Sequence, residues 1–215
     1  CIRDRSDPPP DLRTALIREM LAGVVKLHAQ PIELLDIKII NRALKELRYA
    51  FRVFQPYEHC LKVSIYGSAR TRPDDANFRL AARFGQLLSQ RGFMVITGAG
   101  PGIMEAGHQG AGVDMSFGVN IMLPFEQSAN PTIAGDPKLV HLKYFFTRKL
   151  LFVRESQAAA FFPGGFGTMD ELFEVLTLIQ TGKISKQLPI ILWNEEYWKK
   201  MIDWNMLRDE GMIDA

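Results

Sequence analysis

The segment Pro163–Glu171, PGGFGTMDE, combines closely spaced glycines with a hydroxyl and two carboxylates. Glycines let a backbone approach a ligand closely. A glycine turn that feeds a helix also offers unsatisfied N–H groups and the positive end of the helix dipole to an anion. Gly164, Gly165, Gly167 and the Thr168 hydroxyl therefore form a candidate phosphate cradle. The same residues fit a plain strand-to-helix turn, with Thr168 as N-cap and Thr168-x-x-Glu171 as a capping box. On a wheel of 3.6-residue period, Glu171 falls between Leu178 and Val175 inside the apolar arc, whereas Asp170 and Glu174 lie on or beside the polar side. A carboxylate on the buried side of a helix beside an anion turn points to a role beyond capping, and the two roles are compatible.

Two further glycine turns follow apolar runs. Thr97–Ala106, TGAGPGIMEA, places Gly98, Gly100 and Gly102 at alternate positions. That spacing is not GxGxxG, no acidic residue ends the next apolar run at Met122-Leu123-Pro124, and no GK[ST] follows, so neither a dinucleotide fingerprint nor a P-loop is present. Glu105 either points at a ligand or is a solvated helix residue. Gly67-Ser68 closes the first run, and Ser68 with Arg70 is placed to touch a ligand. Arg148 and Lys149 lie in YFFTRKLLFVR, a segment apolar around nearly its whole circumference, which predicts a helix buried on several sides. Cations there need an anionic partner or an exit to solvent. A phosphorylated substrate or a structural carboxylate would serve, and the nearby glycine turn favours substrate. His28, His59, His108 and His141 form no metal-binding pair, so no metal is expected.

The elements that position these residues are legible in the hydropathy pattern. Strands are expected at 61–66, 93–97, 116–121, 139–142, 158–162 and 188–193, and helices at 75–90, about 101–112, 144–155, 168–180 and 195–208. Such alternation implies parallel crossovers. The fold class expected is α/β, a Rossmann-like doubly wound parallel sheet, whose ligands bind beyond the carboxyl ends of the strands near the switch in strand order. Residues 57–215 would form this nucleotide-binding domain. Residues 1–56 would form a proline-rich tail and a helical extension, two amphipathic helices separated by Pro31. That pair is expected to pack on the core and to assist self-association.

The chain has 215 residues, with 26 Lys plus Arg against 24 Asp plus Glu, a net charge of +2. This balance argues against binding of a nucleic-acid polymer. With 47% apolar and 23% charged residues, the composition is that of a globular protein rather than a disordered or fibrous one. The apolar runs are too short to span a bilayer, and no secretory signal is visible. Cys1 and Cys60 make no disulfide framework, which suits a reducing compartment, and a cytoplasmic location is expected. The chain opens on Cys1 rather than Met, which points to a missing true N-terminus.

TGAGPGIMEA, then TRK, then PGGFGTMDE resembles the LOG ("Lonely Guy") family of phosphoribohydrolases, often labelled lysine decarboxylases. The family pattern P-G-G-x-G-T-x-x-E is matched at every fixed position from Pro163 to Glu171, and the resemblance covers about residues 61–210. The helical extension is similar to that of longer bacterial members that act as nucleotide 5′-monophosphate nucleosidases. The resemblance implies hydrolysis of the N-glycosidic bond of a nucleoside 5′-monophosphate, AMP or an N6-substituted AMP such as cytokinin riboside monophosphate, to free base and ribose 5-phosphate. It implies no metal or organic cofactor, and a homodimer or larger assembly with sites near the subunit interface. Arg148 and Glu171 become the catalytic pair, and Gly164, Gly165, Gly167 and Thr168 the phosphate cradle. No lysine stands in a context that would hold pyridoxal phosphate. A nucleotide-binding sensor or carrier without turnover is the alternative.

Overall fold

The computed structural model of the protein describes residues 10–122, 128–184 and 187–213. Most of the expected tail at residues 1–10 and the start of the expected loop 124–137 lie outside them. The elements are, in chain order, α1 (Pro10–Ala29), α2 (Leu34–Phe54), β1 (Lys62–Tyr66), α3 (Ala76–Gln90), β2 (Met94–Thr97) and α4 (Ile103–Ala111). They continue with β3 (Ser116–Ile121), β4 (Leu139–Leu142), α5 (Phe145–Glu155), β5 (Ala158–Phe161), α6 (Phe166–Gln180), β6 (Ile190–Leu192), α7 (Glu195–Met201) and α8 (Trp204–Asp209). The single final helix expected at 195–208 is two helices, because Asp203 accepts from the Met206 N–H at 2.9 Å and starts a new one.

The six strands form one all-parallel sheet in the order β4-β3-β2-β1-β5-β6. The chain runs outward from β1 to β4, crosses back, and continues from β5 to β6. The switch in strand order therefore lies between β1 and β5, and their carboxyl ends open a crevice there. Alternation along each strand divides the core. Ile65, Val95 and Phe162 pack with α3 and α4 on one face, through Phe78, Ala81, Ile103 and Ala106. Tyr66, Met94, Ile96 and Phe161 pack on the other face with Ala50 and Phe54 of α2, Leu151 and Phe152 of α5, and Leu172 and Val175 of α6.

The helical extension packs only in part. The last turns of α2 bury Glu46, Ala50 and Phe54. Most apolar residues of α1, among them Met20, Leu21 and Val25, and Leu34, Leu35 and Ile40 early in α2, are exposed. The expected packing of both helices on the core thus holds for the second half of α2 and not for α1. The helix α5 also departs from expectation. Leu151, Phe152 and Val153 are buried, but Phe145 and Phe146 are about half exposed. An apolar circumference does not bury a helix that has a sheet on one side only.

Candidate active site

Three turns meet at the switch point, and Ser68 ties them together. Its N–H donates to Pro163 O at 3.1 Å, and its carbonyl accepts from the Ile103 N–H at 3.1 Å. The turns after β1, β2 and β5 are thereby held in one cluster. Close approach explains two of the glycines. A Cβ on Gly102, whose φ is +68°, would stand 2.3 Å from Ser68 O. A Cβ on Gly164 would stand 2.1 Å from Thr168 Oγ1 and 3.0 Å from Ser68 N. The Tyr197 hydroxyl of α7 donates to Gly164 O and steadies the same turn.

The helix α6 begins at Phe166, two residues earlier than expected, with Gly165 as N-cap and no capping side chain. Thr168 is therefore the third helical residue, and its N–H donates to Gly165 O at 3.0 Å. The capping-box alternative fails for this reason, and Glu171 is left without a capping role. Gly165 and Gly167 are exposed at the turn, and a Cβ on either would meet nothing within 4 Å.

Glu171 is 4% exposed and faces the sheet side as its helical position predicts. Burial pushes its carboxyl up to about 7, although Arg148 and Lys149 pull it down. Arg148 reaches it from α5, with Nη2 at 4.0 Å from Glu171 Oε1. That distance is an ion pair without a hydrogen bond. The Arg148 guanidinium lies 5.4 Å from the Phe152 ring centroid and 5.9 Å from that of Phe145. Its Nε is buried without a hydrogen-bond partner. A buried cationic donor that its own chain leaves unpaired suits an anionic or oxygen-rich ligand. Gly98 makes room for it, since a Cβ there would stand 2.9 Å from Arg148 Nη2 and from Met104 Sδ. Tyr66, at the end of β1, stacks on Phe161 beneath this pair, with centroids 4.7 Å apart. Burial and then the Glu171 charge push its hydroxyl well up, so it stays neutral.

Gly98 and Gly100 belong to a second cluster that shapes the turn after β2. Ala99, at φ 61°, donates its N–H to Thr97 Oγ1 at 2.9 Å. His108 Nε2 lies 3.1 Å from Phe117 O, an acceptor only, so the ring proton sits on Nε2. Nδ1 then accepts from Asn130 Nδ2 at 3.2 Å, and that amide also donates to Gly100 O at 3.1 Å. Burial lowers His108 to about 4, which keeps the imidazole neutral. Asn130 and Tyr197 were not singled out from sequence, because nothing in their local pattern distinguishes them from ordinary loop and helix residues. His108 is fully buried in the core.

Other expected site residues fall differently. Lys149 is held by Asp170 at 2.9 Å and Glu174 at 3.0 Å, so the structural carboxylates it was weighed against are what it meets. Desolvation opposes its charge, but these two carboxylates prevail and raise its pKa. Glu105 is half-buried and accepts from Gln109 of its own helix at 3.1 Å, as a solvated helix residue would. Gly67 packs against Ile103, which a Cβ would meet at 2.7 Å. No group of three or more metal-ligating side chains occurs among the described residues. No helix among them is long and apolar enough to cross a membrane.

The family described as "Possible lysine decarboxylase" matches residues 98–215. A pyrimidine/purine nucleotide 5′-monophosphate nucleosidase of Escherichia coli K12 is 30% identical over 149 residues, which make up 65% of this chain and 32% of that protein. A probable cytokinin riboside 5′-monophosphate phosphoribohydrolase of Oryza sativa is 35% identical over 111 residues, 49% of this chain and 44% of that one. The chain thus spans about a third of the length of the bacterial relative and under half of the rice one. Among solved structures, DNA processing protein A from Helicobacter pylori, described for its single-stranded DNA binding mode, is similar with a TM-score of 0.50 and 15% identity. The match covers 73% of this chain and 76% of that one, and it shows the fold alone.

Proposed function

Because this chain belongs to the LOG family, the one described as "Possible lysine decarboxylase", we propose that it hydrolyses the N-glycosidic bond of nucleoside 5′-monophosphates. AMP or an N6-substituted AMP such as cytokinin riboside monophosphate is the substrate, and the products are free base and ribose 5-phosphate. The observation that carries this reading is a buried glutamate with its carboxyl raised to about 7, facing an arginine whose Nε has no partner, at the sheet's switch point.

The phosphate sits on the turn Gly164–Thr168, where the N-terminus of α6 supplies N–H groups and a favourable dipole. Arg148 keeps its proton at any ordinary pH, so it binds phosphate or ribose oxygens, or offsets charge on the departing base. Glu171 faces the anomeric carbon. As C1′–N cleaves, the bonding pair leaves with the base, which takes up a proton, and C1′ becomes oxocarbenium-like. The ionised Glu171 stabilises that charge and accepts a proton from the water whose oxygen bonds to C1′. A carboxyl titrating near 7 exchanges protons readily at neutral pH.

Decarboxylation of lysine does not suit these residues. Lys149, the lysine of the site helix, is kept as an ammonium by two carboxylates and offers no free amine for a Schiff base. Assembly is part of the same proposal. The exposed Phe145, Phe146 and Phe173 flank Arg148 and Glu171 on α5 and α6, and a second copy of the chain would cover them.

The test is incubation with a panel of nucleoside 5′-monophosphates and the corresponding nucleosides, followed by chromatography of released base. Base release is expected from monophosphates and not from nucleosides, with Glu171→Gln binding nucleotide without releasing base. Tight nucleotide binding by the unaltered protein with no release over hours would instead identify a carrier or sensor.

A further inference from the structure

One side chain of the N-terminal extension reaches the helix that carries Arg148. Glu46 of α2 is 4% exposed. Its Oε1 accepts from the Lys143 backbone N–H at 2.7 Å and from Arg42 Nε at 2.7 Å, and its Oε2 lies 2.8 Å from the Thr147 hydroxyl. Lys143 and Thr147 bracket the start of α5, whose N-cap, Tyr144, has no capping side chain of its own. A helix N-terminus leaves its first N–H groups unsatisfied, and a side-chain oxygen normally answers one of them. Glu46 does not answer one of these: it accepts from the Lys143 N–H just before the N-cap and from the Thr147 hydroxyl in the first turn, and so braces the start of α5 from a helix 97 residues earlier in the chain.

The chemistry of the contact is strong. Glu46 places a negative charge at the positive end of the α5 dipole. Burial alone would push its carboxyl up, but bonds from Arg42, Lys143 and Thr147 outweigh that and hold it below the ordinary range. The Thr147 hydroxyl also lies 2.8 Å from Tyr144 O. It has one proton to give, and the carboxylate is the better acceptor. A second grip lies at the far end of α5, where the Arg154 guanidinium stands 4.6 Å from the centroid of Phe51 of α2. Arg148 follows Thr147 directly, and its own N–H closes the first turn of α5 on Tyr144 O at 3.4 Å.

We propose that Glu46 is a positioning residue for the reaction. By bracing the first turn of α5 from α2, it sets where the Arg148 guanidinium stands relative to Glu171, and so makes the N-terminal extension part of the site's machinery. The inference rests on the nucleosidase reading for its consequence and on geometry for its content. Glu46 touches no substrate. It acts through Thr147 and the first turn of α5.

The test is a double-mutant cycle in the full chain, using Glu46→Ala, Arg148→Ala and the double variant, with Thr147→Val and Thr147→Ser alongside. Turnover of AMP and affinity for ribose 5-phosphate are both measured. Glu46→Ala and Thr147→Val should each lower kcat/KM roughly tenfold, the scale of one lost hydrogen bond to a charged group. Thr147→Ser, which keeps the hydroxyl, should restore it. In the Arg148→Ala background, Glu46→Ala should change ribose 5-phosphate affinity no further, a non-additivity that a merely stabilising role would not produce. Glu46→Gln keeps the side-chain shape and replaces Glu46→Ala throughout if the latter does not fold. Equal losses in both backgrounds, or unchanged turnover and affinity in Glu46→Ala, would overturn the proposal. If the unaltered protein releases no base, the nucleosidase reading fails, and the cycle in ribose 5-phosphate affinity still decides the role of Glu46.

Discussion

Glu171→Gln should stabilise the protein above neutral pH while abolishing its turnover. In the folded chain the Glu171 carboxyl is raised from 4.5 to about 7 by burial. Between those two values the folded state holds a proton that the unfolded state has released, so stability falls as pH rises through this window. Each tenfold change in proton affinity is worth about 1.4 kcal/mol, so keeping Glu171 ionised at pH 8 costs the fold about 3 kcal/mol. Glutamine has the same shape and no charge to desolvate. The variant should therefore gain about 3 kcal/mol at pH 8 and under about 1 kcal/mol at pH 5. For a chain of 215 residues the gain at pH 8 amounts to a melting-temperature rise of roughly 6 to 12 °C. His108 complicates the absolute profile. Its pKa is lowered to about 4, so it contributes stability that is lost as pH falls from 6.5 towards 4, a slope of opposite sign over nearly the same window. The difference between variant and unaltered protein cancels that term. The assay is urea unfolding of both proteins at pH 5, 6.5 and 8. A stability difference that is independent of pH, or a less stable variant at pH 8, would refute the claim that desolvation dominates at Glu171.

Two other outcomes follow from packing. Gly164→Ala puts a Cβ 2.1 Å from Thr168 Oγ1 and 3.0 Å from the Ser68 backbone nitrogen, neither of which can retreat far. It should destabilise by roughly 1–3 kcal/mol and weaken ribose 5-phosphate binding in calorimetry. Deletion of residues 10–29 removes an exposed apolar helix, and light scattering should then report a smaller assembly than that of the full chain. An unchanged mass would show that α1 takes no part in self-association.

Much of this molecule is written locally. The strands at 116–121 and 139–142 occur where period and turn residues place them, because a buried parallel strand is a short apolar run between glycine-rich stops. The glycine turns are legible for the same reason. Gly102 and Gly164 are demanded by a close backbone approach that no other residue tolerates. Even the inward aim of Glu171 is a matter of helical period alone.

Distance in the chain hides the rest. Strand order depends on how crossovers pack, and that order brings the α5 helix of Arg148 against the α6 helix of Glu171. The carboxyl is raised because the assembled core excludes water, a condition no single segment creates. Lys149 looks as available as Arg148 in the sequence. Only the docked helices show that Asp170 and Glu174 hold the one and leave Nε of the other unpaired. The brace on the start of α5 comes from Glu46, which reads as one more charge on an amphipathic helix until α2 is laid beside α5. Local pattern determines which residues form the turns and which face the core. Which charges meet there is decided by packing, because an ion pair needs proximity in space and carries no period in the sequence.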